Sequence, residues 1–165
     1  MSTMNVLICQ QPKELVWKQR EIPIPGDNEA LIKIKSVGIC GTDIHAWGGN
    51  QPFFSYPRVL GHEICGEIVG LGKNIADLKN GQQVAVIPYV ACQQCPACKS
   101  GRTNCCEKIS VIGVHQDGGF SEYLSVPVAN ILPADGIDPQ AAALIEPFAI
   151  SAHAVRRAAI APGEQ

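Results

Sequence analysis

Residues 61–72 read Gly-His-Glu-Ile-Cys-Gly-Glu-Ile-Val-Gly-Leu-Gly. Residues 64–71 of this stretch are mostly apolar, several are β-branched, and glycines bound the run, which predicts a buried strand. His62 and Glu63 come directly before the strand, so an imidazole and a carboxylate stand at its start. The stretch therefore predicts a β fold in which one strand end carries side chains of the kinds that bind metal ions.

Further strands are predicted on both sides of this run. Residues 31–35 alternate between apolar and charged side chains, which is the period of a half-buried strand. Three more apolar or alternating runs predict strands at 6–9, 84–87 and 120–126. Strands at short, uneven spacing, with glycine and proline between them, indicate a small barrel or sandwich.

The last part of the chain has a helical pattern. Asp138 and Pro139 predict an N-cap followed by proline at the first helical position. Pro147 predicts a kink or a new helix start near Glu146. The alanine-rich residues 148–160 continue the helix. The fold class expected is therefore mainly β with a C-terminal helix.

Two regions follow from these patterns. We expect a β unit over residues 1–133 and a helical segment over 134–165, with the helix stopped at 161–163 by alanine, proline and glycine. The sequence contains no G-x-G-x-x-G turn, so the phosphate-cradling turn of a dinucleotide-binding fold is absent from it.

Composition and charge narrow the function classes. The 165 residues are 46 % hydrophobic and 17 % charged, which is typical of a globular protein. A net charge of −2 predicts neither a nucleic-acid partner nor a membrane partner. No apolar run reaches the ~18 residues of a membrane span, and the first residues do not resemble a signal peptide. We therefore expect a cytoplasmic protein, in which clustered thiols more often bind metal than form disulfides.

The cysteine-rich stretch predicts a structural zinc site. Residues 92–106 read Cys-Gln-Gln-Cys-Pro-Ala-Cys-Lys-Ser-Gly-Arg-Thr-Asn-Cys-Cys. A tetrahedral Zn²⁺ takes four thiolates at about 2.3 Å, and a short loop can wrap one ion in this way. The first three ligands predicted are Cys92, Cys95 and Cys98. Spacing alone leaves both Cys105 and Cys106 as candidates for the fourth.

A second set of ligand types lies at two predicted strand ends. Residues 38–45 read Gly-Ile-Cys-Gly-Thr-Asp-Ile-His. Cys40, together with His62 and a carboxylate, offers the ligand types of a catalytic zinc that keeps one position open.

Together these motifs resemble the zinc-containing medium-chain alcohol dehydrogenase family. Residues 61–75 are similar to its zinc motif, 40–45 to its first-ligand turn, 92–106 to its structural zinc lobe and 117–123 to a later strand. The resemblance implies a GroES-like β-barrel with a zinc lobe at about residues 89–110, and it chooses Cys106 over Cys105. In the family a Rossmann domain follows such a barrel, and we expect that domain to lie outside this chain.

The expected third zinc ligand distinguishes two branches of the family that the sequence resembles. Glu146 and Pro147 stand where the ethanol-type branch has a second cysteine, which resembles the polyol, sorbitol and threonine dehydrogenase branch. The sequence is also similar to bacterial sugar-acid oxidoreductases of the L-galactonate type. In that branch Glu63 and Glu146 are both candidate ligands. Because neighbouring residues of a strand point to opposite faces, we expect Glu146 to bind the ion beside His62, with Glu63 exchanging.

The resemblance implies an enzyme with two zinc ions per chain. The complete, homo-oligomeric enzyme would oxidise a secondary alcohol of a polyol or sugar acid by hydride transfer to NAD or NADP, whereas this chain alone would be inactive. Thr42 would accept the proton, His45 would relay it, and Asp43 would orient the second ring nitrogen of the zinc-binding histidine. The substrate pocket would be lined by Trp47, Tyr56 and Phe120.

Two alternatives from other classes remain at this stage. The chain could be a stand-alone zinc-binding barrel that acts as an interaction module. It could also be an electron carrier with an iron–sulfur cluster, although Arg102 stands where the bacterial ferredoxin pattern requires the fourth cysteine.

Overall fold

A computed structural model describes residues 2–52, 54–161 and 163–164. The ten strands within these ranges are β1 (Thr3–Gln11), β2 (Glu14–Glu21), β3 (Glu29–Gly38), β4 (Arg58–Val59), β5 (Glu63–Leu71), β6 (Gln83–Val86), β7 (Tyr89–Val90), β8 (Ser110–Val111), β9 (Tyr123–Pro127) and β10 (Ile131–Pro133). The α-helices in the same ranges are α1 (Gly41–Gly48), α2 (Pro96–Lys99), α3 (Pro139–Ala143) and α4 (Ile145–Ala158). The fold is therefore mainly β with a C-terminal helix, as predicted.

The largest sheet has the order β10-β6-β5-β3-β9, and all of its neighbouring strands are antiparallel. The strand predicted from the opening motif is β5, at its centre. Branched aliphatic side chains form the core against this sheet, among them Ile32, Ile64, Ile68, Val84 and Val126. Removal of these apolar side chains from water is the main favourable contribution to the stability of such a fold.

The N-terminal hairpin was only half predicted. β1 pairs in an antiparallel arrangement with β2 and on its other side with β4. β2 reads Glu-Leu-Val-Trp-Lys-Gln-Arg-Glu, and its charged half hides the period-2 pattern. As an edge strand it exposes most of its side chains, Trp17 at 71 % among them, so burial does not select apolar residues there.

The predicted strand over 120–126 begins only at Tyr123. Before it, the chain crosses the segment that precedes β5. The amide groups of Gly118, Gly119 and Phe120 donate to the carbonyl groups of Val59, Gly61 and Leu60, at 2.8 to 2.9 Å. This crossing fixes the backbone directly before His62.

The prediction of a new helix start near Glu146 is confirmed. α3 ends at Ala143 and α4 begins at Ile145. Pro147 therefore lies in the first turn of α4, where a helix does not need the missing N–H. The Asp138 carboxylate caps α3 by accepting from two backbone amides, at 2.9 and 3.2 Å.

α4 packs loosely and ends earlier than predicted. Its last residue is Ala158, and the predicted stop at 161–163 includes residue 162, which lies outside the described residues. Large apolar side chains on this helix are exposed, including Phe148 at 72 %. Among the described residues no helix is long and apolar enough to cross a membrane.

Candidate metal centres

Four cysteines come together in the loop between β7 and β8. The Sγ atoms of this cysteine group all lie within 4.8 Å of one another, and its members are Cys92, Cys95, Cys98 and Cys106. In one pair, Cys92 and Cys98, the sulfur atoms are 4.0 Å apart. Four sulfur atoms around a tetrahedral Zn²⁺ are about 3.8 Å apart. The arrangement therefore fits a closed four-thiolate zinc site.

Cys105 lies outside the cysteine group. Its side chain is exposed, whereas Cys106 is buried and accepts hydrogen bonds from the backbone amides of Cys92 (3.3 Å) and Lys108 (3.4 Å). The sequence left both Cys105 and Cys106 as candidates for the fourth ligand. The short 3₁₀ turn Thr103–Cys105 ends between them, and only Cys106 joins the cysteine group.

Backbone amides prepare the cysteine group for a cation. Those of Gln94 and Cys95 lower the pKa of the Cys92 thiol to about 6, and those of Cys98 and Glu107 lower the pKa of Cys95. Burial, and then contact with neighbouring thiols, raises the pKa of Cys98 to about 12. The group is therefore partly ionised at neutral pH, and binding a divalent ion would release the remaining protons.

A second group combines three different ligand types. The Sγ of Cys40, one ring nitrogen of His62 and one carboxylate oxygen of Glu63 all lie within 4.8 Å of one another. We call these three residues the mixed group. His62 and Glu63 are buried, and Cys40 is half-buried at the N-cap of α1. The sequence predicted a simple turn at this place, whereas the structure has a helix there.

The expectation that His62 and Glu63 point apart was wrong. β5 begins only at Glu63, so His62 lies before the regular pleat, and Gly61 bends the chain with a φ of 89°. Glu63 pairs with Gly38 of β3, and its side chain lies across the Gly38 backbone. The alternation of side chains along a strand does not apply where the strand has not yet begun.

Asp43 ties together the two segments that carry the mixed group. Its carboxylate accepts hydrogen bonds from the backbone amides of Cys40 (2.8 Å) and Gly61 (3.0 Å). Its Oδ1 lies 3.8 Å from His62 Nδ1, beyond hydrogen-bond distance. The predicted orienting contact to the imidazole is thus not made here, and the buried carboxylate acts on the backbone instead.

The donor chemistry of the mixed group fits zinc. A thiol, an imidazole and a carboxylate are the ligand types of catalytic zinc sites with one open position. His62 Nδ1 is buried and has no hydrogen-bond partner among the described residues. Such an orphaned nitrogen costs free energy unless something else, such as a reoriented Asp43 or an ion at the ring, satisfies it.

Glu146 lies apart from the mixed group. Its Oε1 accepts a hydrogen bond from the Tyr89 hydroxyl at 2.6 Å, and it is not among the three residues whose ligand atoms converge. We expected Glu146 to bind the ion and Glu63 to exchange. In the structure, however, Glu63 is the carboxylate that lies beside Cys40 and His62.

The predicted proton-relay residues share α1. Thr42 is half-buried in the first turn, and His45 is exposed three residues later. Residues three apart on a helix are neighbours on its surface. The two side chains therefore lead from the region of Cys40 towards solvent.

Two of the three predicted pocket residues line one cavity. Trp47 and Phe120, with Ile39, Ile44 and Leu60, surround a cavity of about 420 Å³ beside Asp43. Tyr56 is not among the residues that line this cavity, and its place in a substrate pocket stays a prediction. Tyr56 donates to the Ala46 carbonyl group and packs edge-to-face against Phe54, with ring centroids 4.8 Å apart.

Comparison with known proteins shows which family the chain belongs to. The family described as alcohol dehydrogenase GroES-like domain matches residues 26–136. This chain belongs to that family. The GroES-like fold and the dehydrogenase resemblance predicted from the motifs are confirmed.

Relatives in this family are similar over nearly the whole length of the chain. An uncharacterized zinc-type alcohol dehydrogenase-like protein of Haemophilus influenzae is 44 % identical over 164 residues, which are 98 % of this chain and 48 % of the relative. An L-threonine 3-dehydrogenase of Legionella pneumophila subsp. pneumophila is 38 % identical over 156 residues, 91 % of this chain and 46 % of that protein.

A solved structure has the same fold. It is the crystal structure of the alcohol dehydrogenase RspB of Escherichia coli CFT073 complexed with NADH, with a TM-score of 0.88 and 40 % identity. The match covers 95 % of this chain and 46 % of that one. The chain thus spans about half the length of the relatives that it matches.

Two residues beside the mixed group and Glu146 were not among the predicted site residues. Gly38 and Tyr89 act through a neighbour, by leaving room for Glu63 and by holding Glu146. A glycine at the end of a strand is a recognisable sign of close approach. For the tyrosine no sequence pattern exists, because its partner is 57 residues away.

Proposed function

We propose that this chain is the zinc-binding catalytic portion of an oxidoreductase that oxidises a secondary alcohol of a polyol or sugar acid, with NAD or NADP as hydride acceptor. The observation that carries the proposal is the convergence of Cys40, His62 and Glu63 within 4.8 Å in a GroES-like domain. The comparisons lend no support to a stand-alone interaction module.

Two zinc ions per chain belong to this proposal. The cysteine group would hold one as a structural ion, since four thiolates leave no coordination position open. The mixed group would hold the other with three protein ligands and one position for substrate. When bound there, Zn²⁺ polarises the substrate oxygen and lowers the pKa of the alcohol.

The chain's own residues would then move the proton. Thr42 is half-buried two residues after Cys40, where its hydroxyl can accept the proton of the substrate alcohol. His45 is exposed on the same face of α1 and can pass the proton to solvent. Asp43 holds Cys40 and the segment before His62 in place, so that the substrate oxygen meets both at a fixed distance.

The cavity beside Asp43 would hold the carbon chain of the substrate. Its other lining residues are aliphatic or aromatic. The guanidinium of Arg58 lies 3.6 Å from the Asp117 carboxylate.

The nicotinamide cofactor needs residues beyond those seen here. The NADH-bound relative is about twice as long as this chain, and the phosphate-cradling glycine turn is not in the present sequence. We therefore propose that NAD or NADP is held by another part of the complete protein, which we place in the cytoplasm because thiol clusters remain reduced there.

Metal analysis combined with a substrate screen tests the proposal. The purified protein should contain about two zinc ions, and Cys40→Ser should lower this to one. The complete protein should reduce NAD or NADP with a secondary alcohol from a panel of polyols, sugar acids and threonine, and Cys40→Ser should abolish the reaction. A single zinc in the unmodified protein, or full turnover after Cys40→Ser, would refute the proposal.

A further inference from the structure

Tyr89 connects the loop that carries the cysteine group to the start of α4. It is the first residue of β7 and pairs with Val111 of β8. Its carbonyl group accepts a hydrogen bond from the buried side chain of Asn130 at 3.1 Å, and the same amide nitrogen donates to Ile87 at 2.7 Å. The backbone of Tyr89 is therefore held on both sides, so its hydroxyl group has a defined reach.

The Tyr89 hydroxyl group contacts Glu146, whose carboxylate is one of the two candidate zinc ligands predicted from the sequence. Tyr89 donates to Glu146 Oε1 at 2.6 Å, which is the length of a charge-assisted hydrogen bond. Glu146 lies in the first turn of α4, where the helix dipole also favours a negative charge. Both contacts stabilise Glu146 where it is, apart from the mixed group.

The pair nevertheless lies near the mixed group. Ile145, the neighbour of Glu146 in α4, packs against the cluster that contains the buried Cys65, and Cys65 lies two residues after Glu63 in β5. Burial and the hydrogen bond to Glu146 raise the pKa of Tyr89. Tyr89 and Glu146 also line one cavity of about 550 Å³ together with His153.

We propose that Tyr89 is a positioning residue of the mixed group. Its hydroxyl group keeps the Glu146 carboxylate hydrogen-bonded and away from the metal ion, so that Glu63 is the third protein ligand. The inference rests on the proposed function, because it requires a metal ion at the mixed group. It predicts that Glu146 can replace Glu63 as a metal ligand only when the Tyr89 hydroxyl group is removed.

Cobalt(II) is the probe that tests this, because its visible absorption bands report the ligand set and its binding is measured without turnover. Three proteins are titrated: Glu63→Gln, Glu63→Gln with Tyr89→Phe, and Glu63→Gln with Tyr123→Phe as the matched control. Tyr123 is a half-buried tyrosine in β9, far in sequence from the mixed group. Zinc retained in the cysteine group shows that each variant is folded.

We expect Glu63→Gln to weaken cobalt binding at the mixed group at least about 10- to 100-fold, because changing a group that only supports a metal ligand already costs that much. Adding Tyr89→Phe should restore about tenfold of this, with the absorption bands of a carboxylate-containing site, whereas Tyr123→Phe should restore nothing. Failure of Tyr89→Phe to restore binding, in a protein whose unmodified form binds the second cobalt ion, overturns this inference and leaves the proposed function standing. An unmodified protein that binds no second cobalt ion overturns the proposed function and this inference with it.

Discussion

The carboxylate of Glu63 occupies the space that a side chain at position 38 would need. A Cβ atom built on Gly38 would lie 1.9 Å from Glu63 Oε2 and 2.9 Å from its Cβ. The two residues are paired across β3 and β5, so neither strand can move aside without breaking the ladder. The absence of a side chain at Gly38 therefore lets Glu63 turn towards Cys40 and His62.

Gly38→Ala should therefore remove Glu63 from the mixed group. Because a metal ligand is displaced, we expect affinity for the second metal ion to fall at least about 10- to 100-fold, the loss typical of changing a group that only supports a ligand, while the zinc of the cysteine group is retained. Metal titration followed by elemental analysis measures both.

Gly70→Ala is the matched control for this change. Gly70 lies in the same strand as Glu63, but a Cβ there would lie no closer than 3.4 Å to a neighbour. Equal metal affinity of the two alanine variants would contradict the role of Gly38.

Asp43→Ala should destabilise the fold around the mixed group. It leaves the amide groups of Cys40 and Gly61 without their acceptor, and the second is buried. Losing two such bonds costs about 3 kcal/mol of unfolding free energy. Urea denaturation measures the change. Asp77→Ala at an exposed position should change stability very little, and a similar small loss for Asp43→Ala would show that the carboxylate does not hold the two segments.

Cys95→Ser should make the loop that carries the cysteine group sensitive to protease. Three remaining thiolates bind zinc weakly, and this loop has little apolar core of its own apart from the cysteines and their neighbours. Limited proteolysis should cut the variant between β7 and β8 while the main sheet stays intact. Cys105→Ser, which changes an exposed thiol outside the group, serves as the control and should behave like the unmodified protein. Equal resistance of Cys95→Ser would argue against a structural metal ion.

The 165-residue chain by itself should neither bind nor reduce NAD. Hydride transfer requires the nicotinamide to be held against the substrate, and the sequence lacks the glycine turn that cradles a dinucleotide phosphate. Isothermal titration calorimetry with NADH, using an NADH-binding relative as the positive control, measures this directly. Heat of binding from this chain alone would place the cofactor site in the GroES-like domain.

Local patterns were sufficient for four of the five strands of the main sheet, all except β10, and for the first three members of the cysteine group. The apolar run of β5 and the alternation of β3 reflect burial of one or both faces, a signal that a sequence carries residue by residue. The cysteine spacing is similarly local, since the loop wraps its own site. The same patterns missed β2 and α1, where exposed or mixed residues leave no period to read.

The strand core, the two sets of ligand types and the family resemblance could be predicted from the amino-acid sequence, because each is encoded by residues close together in the chain. The choice between Glu63 and Glu146 as the carboxylate beside Cys40 and His62 could not, because it required the folded chain. In the structure Glu63 lies across Gly38, which has no Cβ, and Glu146 accepts a hydrogen bond from Tyr89. These contacts join residues 25 to 57 positions apart, and their geometry exists only after the strands have paired.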